Sequence, residues 1–298
     1  MNIALLVNPT AGKGRAAHVV AHVTERLRAG GASVAILVGH DADDAQKLAR
    51  TAVDDGVDAV VALGGDGMVH LALNAVAGTD TPLGIVPAGT GNDLAATLKL
   101  PCKDPVAAAG LVVDKLANGG PRRMDAVRVA KSGGEGEEWF GCVLSAGFDS
   151  RVNDRANRMS WPRGRMRYNL AIVAELGVFK PVPFVLELDG ERWETEAMLV
   201  AVGNAKSYGA GMLICPDAEV DDGLLDITVL GPVSKPAFLK AFPKVFKGTH
   251  RDHPAVTMRR AKVVSLAAPD VTVYADGEYM GVLPVTCETV PGAVRVLA

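Results

Sequence analysis

The sequence has few cysteines, few aromatic residues and no long apolar run, and these shortages exclude several classes of protein. Four cysteines occur in 298 residues, widely spaced and without a C-x-x-C pair, which argues against a disulfide scaffold or a zinc ribbon. No apolar run approaches the roughly 18 residues that a membrane-spanning helix needs. No basic segment precedes the first apolar run, so no signal peptide is expected. We therefore expect a cytoplasmic protein with reduced thiols.

The residues that are present indicate a folded, globular chain. Apolar residues make up 49% of the sequence and the net charge is -3, which is typical of globular and not of disordered proteins. A length of 298 residues suits one large domain or two ordinary ones. Basic residues concentrate in two stretches, 151–167 and 235–262. One face of the protein could therefore contact something anionic.

Strand-like and helix-like segments alternate through the first third of the chain. Predicted strands cover 3–7, 33–38, 57–63 and 83–86, and predicted helices cover 15–29, 42–55 and 68–77. Alternation with short connections predicts a parallel sheet with helices on both faces. In such sheets ligands bind beyond the carboxyl ends of the strands.

Three glycine-rich turns follow predicted strands at that edge. They are 8–14, which lacks the spacing of a P-loop, Gly64-Gly65-Asp66-Gly67, and 87–93. Glycines allow the backbone to approach an anion, and a helix N-terminus favours phosphate. Asp66 could hold Mg²⁺ or orient a metal-bound water. The turn at 64–67 could also be a tight strand–helix turn without a ligand, and 87–93 an ordinary helix entry with Asn92 or Asp93 as the cap. Three such turns at one edge favour a phosphate site.

After about residue 122 the pattern changes to short strand-like runs separated by glycine and proline. Such runs predict an antiparallel β-sandwich, with the boundary between the two domains at 118–121. The predicted domains are therefore 1–122 and 123–298. The predicted strands cover 125–130, 139–144, 183–188, 197–203, 225–230, 262–266 and 271–274, with helices near 166–179 and 235–246.

Two acidic turns in the second domain are candidates for chemistry. Asp222, in the turn Asp221-Asp222-Gly223, could bind a hard cation together with neighbouring carbonyl groups. Asp276-Gly277-Glu278 follows the predicted strand that ends at Tyr274. Ordinary hairpin turns have the same composition, so these residues alone leave both interpretations open.

Taken together, the motifs resemble the lipid kinases with a diacylglycerol-kinase catalytic domain, a family that includes sphingosine and ceramide kinases. The resemblance implies a Rossmann-like parallel α/β nucleotide-binding domain followed by an antiparallel β-sandwich domain, with the active-site cleft between them. The last strand could return to the first domain. The matching segments run nearly end to end: Asn8-Pro9 with Gly12, Gly64-Gly65-Asp66-Gly67, Pro87-Ala88-Gly89-Thr90-Gly91-Asn92-Asp93, Ser145-Ala146-Gly147-Phe148-Asp149, Tyr208-Gly209-Ala210-Gly211, Asp221-Asp222-Gly223 and Asp276-Gly277-Glu278.

The resemblance also implies roles for individual residues. Asp276 would be the general base that accepts the proton of the lipid hydroxyl, with Glu278 close to the nucleotide or metal. Asp222, with the main-chain carbonyls of Glu219 and Leu224, would form a structural Mg²⁺ site away from the chemistry. The ATP phosphates and ribose would be held by the glycine-rich turns, through Asn8, Pro9, Thr10, Ala11, Gly12, Gly64, Gly65, Asp66, Gly67, Met68, Thr90 and Asn92.

One residue departs from the family's pattern. Threonine usually follows the GGDG turn, and here the residue is Met68, whose thioether is a weak acceptor without a donor. The backbone N–H groups remain, so we expect ATP binding to survive in a weakened form. The departure also leaves open a non-catalytic nucleotide or lipid sensor.

The predicted function is ATP- and Mg²⁺-dependent phosphorylation of a lipid hydroxyl, with diacylglycerol converted to phosphatidic acid. Phosphorylation of a sphingoid base or ceramide stays open as an alternative. NAD kinase, whose family shares the GGDG turn, is disfavoured by the motifs at 87–93 and 276–278.

The partners expected besides ATP are a lipid and a membrane surface. The basic stretches, with Trp161, Phe242 and Phe246 interleaved, predict peripheral contact with anionic lipid at the inner membrane face. A solvated helix face explains the same residues equally well. No nucleic-acid partner is expected, and a sheet edge could support a homodimer.

Overall fold

The structure is a computed structural model that describes residues 1–8, 15–131, 137–159, 161, 165–209 and 211–298. The predicted ATP-contact residues Pro9, Thr10, Ala11 and Gly12 lie outside the described residues. In the part of the chain that is described, no helix is both long and apolar enough to cross a membrane.

The first part of the chain alternates strands and helices, as predicted. All predicted elements of this part are present with ends that differ by at most two residues, and α5 is an additional helix that the sequence did not predict. The elements are β1 (Asn2–Val7), α1 (Arg15–Ala29), β2 (Ser33–Val38), α2 (Ala42–Asp54), β3 (Ala59–Gly64), α3 (Asp66–Val76), β4 (Leu83–Pro87), α4 (Asp93–Thr97) and α5 (Pro105–Asp114).

The second part is mostly β, with three helices and many short turns. A single π-helical turn, Lys115–Gly119, leads into it, and a 3₁₀ turn covers Thr249–Asp252. The remaining elements are β5 (Arg122–Lys131), β6 (Glu138–Phe140), β7 (Val143–Gly147), α6 (Phe148–Arg158), α7 (Arg165–Val178), β8 (Val182–Leu188), β9 (Glu191–Ala197), β10 (Leu199–Gly203), β11 (Leu225–Leu230), α8 (Lys235–Val245), β12 (Val256–Ala261), β13 (Val263–Ala267), β14 (Thr272–Ala275), β15 (Glu278–Val282) and β16 (Val285–Val296).

Two sheets organise these elements. A ten-stranded sheet has the order β2-β1-β3-β4-β16-β13-β8-β9, with β5 paired to β16 and β6 paired to β5. A six-stranded sheet has the order β12-β11-β10-β7-β14-β15. Strands β1 to β4 are parallel to their neighbours, and the pairs in the six-stranded sheet are antiparallel. The predicted fold class, a parallel α/β part followed by an antiparallel β-sandwich, is confirmed.

The last strand connects the two parts. β16 runs parallel to β4, where Val296 pairs with Leu83, and antiparallel to β5 and β13. Its register shifts between Val290 and Val294, around Pro291 and Gly292, because proline cannot donate to a ladder and such residues mark bulges. One sheet therefore continues across the predicted boundary at residue 122.

Separate apolar cores fill the spaces between the layers. Helices α1 and α5 contact each other on one side of the parallel strands, and α2 and α3 contact each other on the other side. Another core lies between the two sheets and contains Phe140 and Phe184. A third cluster joins α6, α7 and α8 around Phe148, whose ring centroid lies 5.5 Å from that of Phe179 and 4.9 Å from that of Phe238.

The strand predicted at 139–144 is wrong as one element, because it is interrupted at Gly141 and Cys142. The N–H groups of these two residues donate to the Asp276 side chain and not to a neighbouring strand. Asn204 supports the interruption from behind: its Nδ2 donates to the carbonyls of Asp125 at 3.0 Å and Gly141 at 2.9 Å, and its exposed fraction is 0%.

Replacing Asn204 by alanine should lower the free energy of unfolding by about 2 kcal/mol, because two buried carbonyl groups lose their donor. Urea denaturation followed by circular dichroism measures this change, with an unchanged m-value. Asn118→Ala is the control, since that exposed side chain donates to Asp114 at 3.2 Å and its loss should cost less than about 0.5 kcal/mol. Equal losses in the two variants would contradict the role given to Asn204.

Candidate active site

The turn after β3 presents a helix N-terminus to the cleft. Helix α3 begins at Asp66 with Gly65 as the N-cap residue, and no described side chain caps this end. The first-turn N–H groups of an uncapped helix carry partial positive charge and suit an anion. The geometry of Gly64, Gly65 and Gly67 therefore agrees with the phosphate-binding turn predicted from the sequence.

The 87–93 loop lies directly against this turn. A Cβ atom built on Gly89 would overlap the backbone of Gly65, so the two loops require glycine at their contact. Asn92 adopts a left-handed conformation with φ 59° and ψ 43°. Its side chain accepts from the N–H of Gly89 and donates to the Gly89 carbonyl, both at 3.0 Å. Asn92 is thus the N-cap residue of α4 by position, but its side chain closes its own loop and makes no capping hydrogen bond.

Asp66 ties the two loops together. Its Oδ2 accepts the N–H of Asn92 at 2.9 Å and its Oδ1 accepts the N–H of Asp93 at 2.7 Å. Burial raises the pKa of Asp66, the two N–H bonds lower it and the Asp276 charge raises it, so that the pKa lies above its ordinary value. In this structure the carboxylate anchors the 87–93 loop, and Mg²⁺ coordination by Asp66 stays a prediction.

Asp276 lies at the end of β14 in an unusual conformation. Its φ of 53° is in the left-handed region, which costs a residue other than glycine about 1 kcal/mol. Its Oδ2 accepts the N–H of Gly141 at 2.8 Å, and its Oδ1 accepts those of Cys142 at 2.9 Å and Val143 at 3.3 Å. Only 8% of the side chain is exposed. Three amides thus fix this largely buried carboxylate.

The structure brings the Asp276 turn and the α3 turn together. A Cβ atom added to Gly67 would lie 2.7 Å from Oε1 of Glu278, so the exposed side chain of Glu278 reaches the N-terminal end of α3. Thr90 is exposed on the adjoining loop, and Asn8 is exposed at the end of β1. Residues 276–278 and the N-terminal end of α3, which are far apart in the sequence, therefore lie side by side.

The Met68 side chain points into the apolar core and not toward the candidate phosphate site. The side chain is 9% exposed and packs beneath Gly64, since a Cβ built there would overlap Met68 Cγ. The departure from the family's threonine thus places an apolar side chain in the core below the turn. The backbone of the turn keeps its helical start at Asp66.

The predicted Mg²⁺ site at Asp222 has a competing cation. The Asp222 carboxylate forms an ion pair with Arg260, and its Oδ1 accepts the N–H of Leu224 at 3.1 Å. The Glu219 carboxylate pairs with Lys206 at 2.8 Å. Among the described residues no group of three or more acidic, histidine or cysteine side chains could hold a metal. Arg260 occupies the Asp222 carboxylate in this structure, and a Mg²⁺ site formed by Asp222 with the main-chain carbonyls of Glu219 and Leu224 stays a prediction.

Two residues of the cleft were missed from the sequence. His70 and Asn74 follow Asp66 at intervals of four residues, so the three polar side chains form one stripe on an otherwise apolar helix. Nδ1 of His70 lies 3.7 Å from Oδ2 of Asp276, and the His70 side chain is 6% exposed. The four-residue spacing could have identified the polar stripe from the sequence, but it does not reveal that the stripe faces Asp276.

The charge of His70 depends on this neighbour. Burial lowers the pKa of the imidazole, but the neighbouring Asp276 carboxylate raises it, and so do the charges of Glu278 and Glu138. The net pKa lies above the ordinary value of 6.5. The folded state therefore binds this proton more tightly than the unfolded state does.

The stabilising contribution of His70 should be complete below pH 6.5 and should disappear as the pH rises through the raised pKa. Urea denaturation between pH 5.5 and 8.5, roughly, should show that His70→Gln loses more stability at the acid end. His250→Gln is the control, because burial lowers the pKa of His250 and its contribution should fall at the acid end. Parallel curves for the wild type and His70→Gln would contradict the assignment.

Comparisons with known proteins cover nearly the whole chain. Residues 2–129 match the diacylglycerol kinase catalytic domain, and residues 142–298 match the YegS C-terminal NAD kinase beta sandwich-like domain. A Mycobacterium tuberculosis protein named diacylglycerol kinase is 48% identical over 296 residues, which cover 99% of this chain and 94% of that protein. A Bacillus subtilis protein of the same name is 26% identical over 283 residues, which cover 94% of this chain and 90% of that protein.

Solved structures share the fold. A diacylglycerol kinase from Bacillus anthracis has a TM-score of 0.73 at 22% identity and covers 99% of this chain and 96% of its own. An NAD kinase from Archaeoglobus fulgidus, solved in complex with ATP, has a TM-score of 0.56 at 13% identity and covers 100% of this chain and 94% of its own. At these identities the structures show the fold alone, whereas the sequence matches go further: the chain belongs to the lipid-kinase family defined by the diacylglycerol kinase catalytic domain.

Proposed function

We propose that this protein transfers the γ-phosphoryl group of ATP to the hydroxyl of a lipid, and that the lipid is diacylglycerol and the product phosphatidic acid. The observation that carries the proposal is the Asp276 carboxylate, held by three main-chain amides beside the N-terminus of α3. The name of the Mycobacterium tuberculosis relative supports diacylglycerol as the acceptor.

The hydrogen bonds of Asp276 indicate which oxygen acts as the base. A carboxylate offers about four lone-pair positions. Oδ1 accepts two N–H groups and Oδ2 accepts one, so one position on Oδ2 stays available. In the proposed step Oδ2 accepts the proton while the lipid oxygen forms its bond to the γ-phosphorus and the bond to the β-phosphate oxygen breaks.

The nucleotide would lie along the two glycine-rich loops. The uncapped N-terminal turn of α3 and the 87–93 loop would bind the phosphates. Residues 9–12, which lie outside the described residues, are predicted from the family resemblance to contact the nucleotide as well. Mg²⁺ arriving with ATP would supply neutralisation of the phosphate charge. In phosphoryl transfer a protein contributes mainly by positioning the reacting groups and stabilising their charge, which fixed backbone groups can do.

Asp276→Asn should lower kcat at least about 100-fold with little change in the KM for ATP, because it removes the proton acceptor and keeps the shape. Asparagine also tolerates the left-handed backbone. The measurement is transfer of labelled γ-phosphate to mixed micelles of diacylglycerol, sphingosine or ceramide, with NAD as a separate acceptor.

Asp270→Asn is the matched control, since Asp270 is exposed and has a similar φ of 52°; it should keep wild-type activity. If the wild type labels sphingosine or ceramide instead, the acceptor is corrected. If it binds ATP and labels no acceptor, the sensor interpretation replaces the kinase proposal.

The helices of the second part offer a surface for the membrane that holds such a lipid. Apolar side chains on and around α7 and α8 are exposed although large: Trp161, Met166, Leu170, Val178, Leu239 and Phe246. Phe242 is half-buried and lies between Phe238 and Phe246, with centroids 5.9 Å from each. We propose that this surface contacts anionic lipid at the inner membrane face.

The basic residues of the two stretches differ in whether they are paired within the chain. Several arginines of the two basic stretches are paired within the chain: Arg155 with Glu175, Arg251 with Asp217, and Arg260 with Asp222 and Asp226. Lys240, Lys244 and Lys247 are exposed on or just after α8, next to its exposed apolar residues. The membrane proposal therefore rests mainly on α8.

Lys240→Gln with Lys244→Gln should weaken binding to vesicles that contain phosphatidylserine about 30-fold, from about 1 kcal/mol per cation near an anionic surface. Vesicle co-sedimentation at fixed salt measures the change. The control is Lys47→Gln with Lys103→Gln, two exposed lysines of the first part, which should bind like the wild type. Binding that does not depend on anionic lipid would overturn the proposal. Homodimerisation stays a prediction.

A further inference from the structure

The buried face of α3 contains a polar chain that the proposed reaction does not yet use. Nδ1 of His70 is buried and has no hydrogen-bond partner among the described residues. It lies 3.7 Å from Oδ2 of Asp276, the oxygen with the available lone-pair position. A buried imidazole nitrogen without a partner is costly, so its placement beside this oxygen calls for a function.

Asn74 fixes the other side of the imidazole. Its Oδ1 accepts the N–H of Trp139 at 2.8 Å, and its Nδ2 donates to the Trp139 carbonyl at 2.8 Å and the His70 carbonyl at 2.9 Å. The same Nδ2 lies 3.3 Å from Nε2 of His70. Its two hydrogens go to the two shorter contacts with carbonyl groups, so the tautomer of the ring is assigned from its other side. Nδ1 faces Oδ2 of Asp276, and because an ionised carboxylate only accepts, the hydrogen of the neutral imidazole is assigned to Nδ1.

We propose that His70 is a positioning residue for Asp276. Its Nδ1–H faces Oδ2 at 3.7 Å, which is too long for a hydrogen bond, so it orients the carboxylate by electrostatic attraction and leaves the remaining lone-pair position of Oδ2 to the substrate hydroxyl. The inference rests on the proposed function, because it concerns the base of that reaction. Asn74 lies against the opposite edge of the ring, with Nδ2 3.3 Å from Nε2, and helps to fix the orientation of the imidazole.

Protonation of His70 would change the basicity of Asp276. An imidazolium 3.7 Å from Oδ2 stabilises the carboxylate and weakens it as a proton acceptor. The rate should therefore rise with pH as His70 loses its proton. The other charged groups around this face belong to its own helix and to the elements packed against it: Asp66, Arg50 of α2, Asp93 of α4, Glu138 of β6 and Glu278 of β15.

Two variants separate positioning from a structural role. His70→Leu removes the donor and should lower kcat about tenfold or more while the KM for ATP changes less than about threefold. His70→Gln keeps a neutral donor and should recover most of kcat at high pH. Protonation of His70 should slow the wild type, whereas glutamine does not titrate. The ratio of kcat for His70→Gln to kcat for the wild type should therefore increase as the pH falls below the pH at which His70 loses its proton. A ratio that is constant with pH would overturn the proposal.

The assay includes the wild type, Asp276→Asn and Asp270→Asn, so the two proposals fail differently. A wild type that labels no acceptor rejects the proposed function. A wild type that labels lipid and loses activity in Asp276→Asn, but not in His70→Leu, rejects the role of His70 alone.

A second measurement needs no turnover. Imidazole signals in a ¹H–¹³C NMR titration are assigned by the signal missing in His70→Gln, and the titration is repeated in Asp276→Asn. The His70 midpoint should fall in that variant, because the charge that raises it is gone. An unchanged midpoint would show that the two side chains are not coupled and would overturn the proposal whatever the activity.

Discussion

The carboxylate of Asp276 accepts hydrogen bonds from three consecutive main-chain amides, and the geometry of the cleft depends on this cluster. The amides of Gly141, Cys142 and Val143 are free for it because β6 and β7 are separated there. Asn204 binds the Gly141 carbonyl on the opposite side. A carboxylate held by backbone groups costs little reorganisation when it accepts a proton, which is the condition for efficient general-base catalysis.

The same cluster connects the candidate base Asp276 to the first part of the molecule. Asn74 of α3 forms two hydrogen bonds with the main chain of Trp139, two residues before Gly141. Since α3 also supplies the uncapped N-terminus of the nucleotide turn, one helix positions both the candidate phosphate site and the strand that supports Asp276. β16 adds a second connection, through its pairing with β4 and β5. The cleft is therefore built between elements that are directly bonded to each other.

Much of the fold could be predicted from the sequence, and the misses have common causes. The parallel strands are buried on both faces and appear as continuous apolar runs, which is why β1 to β4 were located closely. Helix α6 was missed because it is rich in arginine and aspartate and has few apolar residues to mark a helical pattern. β16 contains Pro291 and Gly292, which normally end a strand; its pairing with β5 on either side of them outweighs this local preference.

The sequence by itself determined the alternation of β1 to β4 with α1 to α3, the three glycine-rich turns and, through the family's motifs, the candidacy of Asp276, because these depend on local patterns and motif spacing. Only the tertiary structure decided that Asp66 anchors a neighbouring loop, that Met68 packs below its turn and that Arg260 pairs with Asp222. It also placed His70 beside Asp276, although 206 residues separate them by number (276 minus 70). Contacts across such separations depend on how sheets and helices pack, and no local pattern in the chain records that packing.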